Sequence, residues 1–373
     1  MRLALLLLTG CIDLSSGDKG GEGDGADGGS TDDGVTTDDT TLTSDGDGLV
    51  QVSVEVKEGQ GGFLVTALRD SGLLSLERIL APDGDVVLKW QDWYEETTSL
   101  TEAIFPDASD VVVNFPIRAA EPELTPGTWT VELAVLNGSY NYVSGKDVDI
   151  HTVVKSDNDF TSGEMHATLV YADGLMEDAD LVEATDAAIA RWVEIYGAYG
   201  INLTVTSVSS SIDPNVSSPG RGHGAWDAAS LSTDTDVVVL LGEEIDGSQD
   251  YYGIAGSIPG TLGVSDRAAV VVSWLANAGG DGRFSEDDIR LYGETLAHEV
   301  GHYTGLYHPV EMSWDYWDAL DDTDKCRNTR DCEDAMGDNL MFPYPVCTRT
   351  ACTPQDVLTG EQQGVTHRYT GTL

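Results

Sequence analysis

Three histidines and a glutamate stand close together in the segment "HEVGHYTGLYH" at 298–308, although the whole chain has only seven histidines. Residues four apart lie on one face of a helix, so His298 and His302 can bind the same ion. Gly305 can take the left-handed conformation that ends a helix and turns the chain. That turn can bring His308 back to the ion. The spacing therefore predicts a three-histidine metal site on a helix and the turn that follows it.

Three neutral imidazoles leave one coordination position open, which is typical of a catalytic zinc ion and not of a structural one. Glu299 follows His298 directly and points to another part of the helix surface. It can lie beside the metal without binding it and accept a proton from a metal-bound water as general base. Zinc is therefore the expected cofactor, and hydrolysis is the expected chemistry.

The segment resembles the HExxHxxGxxH zinc-binding consensus of the metzincin clan of metallopeptidases at every defined position. Met341, in "GDNLMFPYP", stands where that clan carries its Met-turn, whose methionine forms a hydrophobic floor under the histidines and does not bind the metal. The resemblance covers about 157–373. It implies an α/β catalytic domain with a mixed twisted sheet, an active-site helix and a C-terminal Met-turn subdomain. The activity it implies is that of a zinc metalloendopeptidase.

Features of two metzincin families are mixed in this chain. The stretch "DALDDTDKC" and the cysteines after it are similar to the pappalysin family, which implies a candidate calcium site at Asp318, Asp322 and Thr323. Trp317 stands where that family has glycine, and Pro309 is instead similar to the serralysin family.

Several metzincins have a tyrosine two residues after the Met-turn methionine, where it helps to stabilise the transition state. Position 343 is proline here, and Tyr344 comes one residue late. Tyr344 is thus the candidate for that catalytic role, at a position that departs from the pattern.

The formal net charge of −46 excludes some classes of partner. A chain this acidic is repelled by the phosphates of nucleic acids and by anionic lipid headgroups. The expected partner is a protein or peptide substrate, and the expected state is a monomer.

The first eleven residues, "MRLALLLLTGC", predict an export signal with one arginine, an apolar core and a terminal cysteine. The last four resemble the lipobox of bacterial lipoproteins, which implies lipidation of Cys11 and a lipid-anchored, exported protein at the bacterial cell envelope or cell surface. The membrane would be contacted only through this anchor. Ten residues before the cysteine is short for such a signal, and the alternative is a cytosolic protein with a chance apolar start.

The other four cysteines, Cys326, Cys332, Cys347 and Cys352, lie in one short C-terminal window. In an oxidising compartment they predict two disulfides with three possible pairings. A four-cysteine zinc site is the alternative, but the spacing lacks paired CxxC motifs.

Composition divides the remaining chain into three parts. Residues 12–48 are rich in Gly, Asp, Ser and Thr and predict a disordered acidic linker. Residues 49–155 show alternating apolar residues and turn signals and predict an all-β sandwich as an accessory domain. Residues 156–373 predict the peptidase domain.

Within 156–373, apolar patterning predicts strands at 165–172, 201–208, 237–241 and 268–272. Helical spacing predicts helices at 178–199 and at about 286–304. The segment "GIAGSIPG" at 253–260 is either the edge strand that borders a metzincin cleft or a glycine-rich loop.

The leading hypothesis is an exported, lipid-anchored zinc metalloendopeptidase. One alternative is a non-catalytic cell-surface binding or adhesion protein with a structural zinc, and another is a zinc hydrolase that acts on something other than peptides. His223, in a glycine-rich loop, is the histidine outside the motif to check for a second metal.

Overall fold

The structure is a computed structural model that describes residues 35–94, 97–233, 235–280, 282–348 and 351–373. The predicted signal at 1–11, the lipidation site Cys11 and the linker up to residue 34 lie outside the described residues. In the described part of the chain, no helix has both the length and the apolar content needed to cross a bilayer.

The N-terminal part of the described chain is built from strands. They are β1 Val35–Thr43, β2 Leu49–Val56, β3 Gly62–Leu68, β4 Leu73–Leu80, β5 Val86–Lys89, β6 Thr98–Ser99, β7 Asp110–Phe115, β8 Gly127–Leu136 and β9 Asp147–Lys155. Eight of them form two four-stranded antiparallel sheets, in the orders β1-β9-β3-β7 and β2-β8-β4-β5.

The apolar side chains of these two sheets belong to one core. Phe63, Phe115 and Trp129 are almost fully buried, and their ring centroids are 5.5–6.2 Å apart. Strand β2 alternates buried valines with exposed polar residues. This is the period of two that places every second side chain on the core face.

Strand β1 corrects the prediction for 12–48, because Val35–Thr43 is ordered and not a disordered linker. It pairs antiparallel with β9 along its whole length. Thr41 and Thr43 each donate a hydrogen bond of 2.7 Å to an aspartate of β9. Threonine favours strands, and the neighbouring strand supplies the backbone partners that composition alone does not reveal.

The C-terminal part mixes strands and helices. The strands are β10 Gly163–Tyr171, β11 Ile201–Ser209, β12 Asn215–Val216, β13 Val237–Gly242, β14 Glu244–Ile245, β15 Gly253–Ile254, β16 Val270–Ser273 and β17 Trp317–Asp318; the helices are α1 Ala179–Ala198, α2 Gly224–Ala229, α3 Trp274–Asn277, α4 Glu286–Tyr303, α5 Thr329–Met336 and α6 Gly360–Arg368.

The central sheet of this part has the order β11-β10-β13-β16-β15. Its strands run parallel except β15, which is antiparallel to β16 at one edge. The predicted mixed-sheet α/β fold is thus present, and the predicted strands and helices agree with the observed bounds to within about two residues.

Helix α4 begins where the sequence predicts. The Ser285 side chain accepts a hydrogen bond from the backbone of Asp288, whose side chain accepts one from the Ser285 backbone. This capping box satisfies two amides that have no partner inside the helix. At the other end Gly305 has φ +107°, which turns the chain away from the helix axis.

Helix α1 packs against α4 and holds it on the sheet. The Tyr196 hydroxyl donates to the Ala297 carbonyl at 3.1 Å. Gly293 makes the close approach possible, since a Cβ there would lie 2.7 Å from the Ala188 carbonyl oxygen. These contacts with α1 therefore fix helix α4 on its buried side.

The strand-rich part contacts two segments next to α4. β6 pairs in parallel with β17, which follows the third histidine of the motif. Glu102 exchanges hydrogen bonds with the backbone of Ile258, and its carboxylate lies 3.1 Å from Arg267. The 49–155 segment thus contacts the chain both before and after α4.

The four C-terminal cysteines form two disulfides, Cys326–Cys332 and Cys347–Cys352. This is one of the three pairings that the sequence leaves open. The paired cysteines are six positions apart at α5 and five positions apart in the segment after Met341.

Candidate metal centre and its surroundings

The structure brings His298, His302 and His308 together. One ligand atom from each lies within 4.8 Å of the others, and within the described residues this is the one group of three or more potential metal-binding side chains. The first two come from successive turns of α4, and His308 returns from the turn after Gly305. The arrangement is the one that the sequence predicts.

Each of the three rings is oriented through its Nδ1 atom. The partners are Leu340 O for His298 at 2.6 Å, Leu306 O for His302 at 2.7 Å and both carboxylate oxygens of Glu311 for His308 at 3.2 Å. Carbonyl and carboxylate oxygens only accept hydrogen bonds. A neutral ring with such a partner carries its proton on Nδ1 and its lone pair on Nε2.

Burial keeps the two helix histidines neutral. Burial first, and the neighbouring His308 second, lower the pKa of His298 to about 3. The same causes hold the pKa of His302 well below its ordinary value. Neutral imidazole is the form that binds metal ions.

The Nε2 atoms of His302 and His308 face each other at 3.1 Å. When both rings are neutral with the proton on Nδ1, two lone pairs oppose each other, and a cation between them removes this repulsion. Two nitrogens bound to one tetrahedral zinc at about 2.0–2.1 Å would be about 3.3 Å apart. The donor set and its spacing therefore fit a zinc ion held by three histidines.

Glu299 is buried beside the trio and does not belong to it. A Cβ on Gly253 of β15 would lie 2.5 Å from Glu299 Cγ, so the glycine leaves room for the glutamate. Burial raises the pKa of Glu299 to about 7, against the opposing influence of His308 and the Ala255 backbone. A carboxyl group with this pKa can both accept and donate a proton near neutral pH.

Met341 lies directly against the backbone of α4. A Cβ on Gly301 would be 2.6 Å from Met341 Sδ, and Met341 is fully buried. The turn that carries Met341 is held by Asn339, whose side chain accepts the Met341 amide at 2.9 Å and donates to Gln362 at 2.8 Å. The same turn supplies the Leu340 carbonyl to His298.

Tyr344 takes part in a separate contact. Its hydroxyl donates to Glu333 of α5 at 3.0 Å, and its ring packs against Trp314 and Phe342. Burial and the hydrogen bond to Glu333 raise the pKa of Tyr344 to about 12. In this conformation the hydroxyl is hydrogen-bonded to Glu333.

The structure gives no support to the candidate calcium site at Asp318, Asp322 and Thr323, because the two carboxylates bond to different segments. The Thr323 hydroxyl donates to Asp318 at 2.6 Å. The Asp322 carboxylate instead accepts from the backbone of Glu361 and the hydroxyl of Thr359 at the start of α6. The two carboxylates therefore serve different segments and offer no shared ligand set.

Asp318 is buried, and no described residue forms a hydrogen bond with its carboxylate oxygen Oδ2. Burial raises the pKa of Asp318 to about 7 from 3.8. The folded state therefore binds the proton more tightly than the unfolded chain, and stability increases as the pH falls from about 7 towards 4. Above pH 7 the buried negative charge destabilises the fold.

We expect Asp318→Asn to raise the free energy of unfolding at pH 8 by roughly 1–3 kcal/mol. The amide oxygen keeps the contacts with Thr323 and the Leu320 backbone, and the charge is removed. Urea unfolding at pH 5 and pH 8 measures the effect, which should shrink at pH 5. A variant less stable than the natural protein at pH 8, or one that loses a calcium-dependent stabilisation, would contradict this account.

The segment 253–260 combines the two structures that the sequence leaves open. Gly253–Ile254 is the edge strand β15, and the residues after it form a loop. His223 is exposed and lies 3.4 Å from Asp266, away from any group of metal-binding side chains in the described residues.

Sequence reasoning missed Glu311 and Gly253. Glu311 follows His308 by three residues, and that proximity was a signal that could have been used. Gly253 had no such signal, because its partner Glu299 is 46 residues away in the chain.

No protein-family model matches the chain, and no curated protein matches it. Solved structures with a likeness include archaemetzincin from Methanopyrus kandleri, with 20% identity, a TM-score of 0.27, and coverage of 39% of this chain and 76% of that one. Metalloproteinase-II from Bacteroides fragilis has 14% identity, a TM-score of 0.28, and coverage of 54% and 64%. Myroilysin has 13% identity, a TM-score of 0.26, and coverage of 56% and 95%.

All three TM-scores are below 0.5, a degree of likeness that carries no information about activity. The chain's own geometry shows three convergent imidazole nitrogens and a buried carboxyl group beside them. That arrangement can hold a divalent ion and move a proton next to it.

Proposed function

We propose that this protein is a zinc metalloendopeptidase of the metzincin type. The observation that carries the proposal is the convergence of three imidazoles, in which the Nε2 atoms of His302 and His308 face each other 3.1 Å apart and His298 completes the set. Such a set is stable when a cation neutralises the facing lone pairs. Three histidines with one open position are the ligand set of a catalytic zinc.

His298, His302 and His308 would hold the ion, which when bound supplies Lewis acidity and lowers the pKa of a bound water. Glu299 accepts the proton of the attacking water on its carboxylate and then delivers it to the leaving amine. Burial raises the pKa of this carboxyl group, which favours its use in both proton transfers. The close contact with Gly253 restricts where the carboxylate can swing.

An extended peptide is the substrate that suits the surroundings of the trio. Among the described residues β15 pairs with β16 alone, so it lies at the edge of the sheet. A peptide can add to such an edge through backbone hydrogen bonds. Gly253 of this strand touches Glu299, so a peptide bound along β15 would pass next to the general base.

Met341 would act as the Met-turn methionine of this site. Two contacts support that role. Met341 packs against Gly301 of α4, and the neighbouring Leu340 carbonyl accepts a hydrogen bond from His298, so the turn helps to orient the histidines of the helix. Met341 would shape the floor of the site without binding the metal.

We also propose that the protein is exported and lipid-anchored through Cys11 at the bacterial envelope, acts as a monomer, and contacts the membrane only through the anchor. The apolar segment before Cys11 and the acidic composition support this. The two C-terminal disulfides fit an oxidising compartment.

The test is cleavage of casein or gelatin by the purified chain, with metal content measured on the same sample. We expect about one zinc per chain, and we expect activity to disappear with a chelator and to return with added zinc. One zinc per chain without cleavage of any peptide in a broad library would support the non-catalytic binding protein instead. Cleavage that persists without zinc would overturn the proposal.

A further inference from the structure

The Nδ1 partner of His308 differs in kind from those of the other two rings. His298 and His302 donate to neutral backbone carbonyls, whereas His308 faces both oxygens of the Glu311 carboxylate. We propose that Glu311 is the positioning residue for the third metal ligand. It fixes the ring of His308 and makes Nε2 a stronger electron-pair donor to the metal. This inference rests on the proposed zinc site.

His308 needs such a partner because α4 does not position it. The first two histidines are fixed by the rigid spacing of one helix, but His308 lies after the turn at Gly305. Its side chain is 21% exposed, so packing alone leaves the ring partly free. The 3.2 Å contacts between His308 Nδ1 and the Glu311 carboxylate restrict that freedom.

Glu311 itself is held by the backbone. Its amide donates to the Tyr316 carbonyl at 2.9 Å, and its carbonyl accepts from the Trp314 amide at 2.8 Å. Val310 forms a bridge with Trp317 of β17. The turn at 311–316 is thus anchored at both ends, and it presents the carboxylate to the outer edge of the His308 ring.

A carboxylate on the outer nitrogen has two consequences for a metal-binding histidine. It fixes the tautomer with the proton on Nδ1, and its negative charge raises the electron density on Nε2. Loss of such an outer partner costs about 10–100-fold in metal affinity. The alternative is a partly exposed ion pair between protonated His308 and Glu311, which would contribute little to the stability of the fold.

The experiment compares zinc affinity in Glu311→Ala, Glu311→Gln and Asp315→Asn by competition with a chromogenic chelator. Asp315 is exposed on the same turn, so its variant controls for the loss of one negative charge near the site. We expect Glu311→Ala to bind zinc about 10–100-fold more weakly and Asp315→Asn to match the natural protein. Glutamine keeps an acceptor oxygen without the charge, so Glu311→Gln should lose less zinc affinity than Glu311→Ala.

Two further readouts separate positioning from a structural role. The visible absorption spectrum of the cobalt-substituted protein should change in Glu311→Ala, because the third ligand is displaced. The thermal midpoint of the metal-free protein should stay unchanged.

The inference would be overturned if Glu311→Ala bound zinc as tightly as Asp315→Asn. An unchanged spectrum of the cobalt-substituted Glu311→Ala protein would also overturn it. If the natural protein binds no zinc at all, the proposed function fails. If the natural protein binds zinc and the Glu311 variants bind it as tightly as Asp315→Asn does, this inference alone fails.

Discussion

Glu299→Gln should reduce peptide hydrolysis by about 10²–10⁴-fold, the contribution typical of a general acid–base group. Glutamine has nearly the same size, so it fits the space that Gly253 leaves. It cannot accept a proton from the attacking water. Because Glu299 is not one of the three convergent ligands, the zinc content should remain about one per chain.

The measurement is kcat/KM on a quenched fluorescent peptide together with metal analysis of the same preparation. Glu286→Gln is the matched control, since Glu286 is exposed on the first turn of the same helix. A Glu299→Gln protein that keeps full turnover with bound zinc would exclude Glu299 as the general base. Loss of zinc from the Glu299→Gln protein would instead identify Glu299 as a metal ligand.

His308→Ala should lower zinc affinity by more than the 10–100-fold expected for loss of an outer partner, with activity falling to background. Two imidazoles on a helix leave too few ligands for a catalytic zinc, which takes three from the protein. His308 is the trio member to change first, because its side chain is partly exposed and its removal disturbs packing little.

Equilibrium dialysis against buffered zinc, followed by metal analysis, measures the loss. His223→Ala is the control, as the His223 side chain is 81% exposed and lies outside the trio. Added zinc should partly restore activity in His308→Ala only at concentrations far above those that saturate the natural protein. Unchanged zinc binding in His308→Ala would show that the ion is held elsewhere.

Several features of the site could be predicted because their causes are local in the chain. The spacing of His298 and His302 depends only on helix geometry. The start of α4 depends on Ser285 and Asp288, three residues apart, and its end on Gly305. Strands and helices of the α/β part were predicted for the same reason, since each element carries its own apolar period.

Other features could not be predicted, because the partners are distant in sequence. Val35–Thr43 has a composition typical of a linker, but β9 offers it a full ladder of backbone hydrogen bonds more than 100 residues later. Asp318 and Asp322 are close in the chain, yet Asp322 is used to cap α6. Tyr344 is near Met341 in sequence, yet its hydroxyl is used by Glu333.

The sequence by itself determined which side chains can bind a metal and that two of them share a helix face, because 3.6 residues per turn leaves no other arrangement. Only the tertiary structure decided the direction of each imidazole. That direction depends on Leu340, Leu306 and Glu311, which meet the Nδ1 atoms after the chain has folded back on itself. A hydrogen bond requires contact in space, and residue spacing along the chain does not specify it.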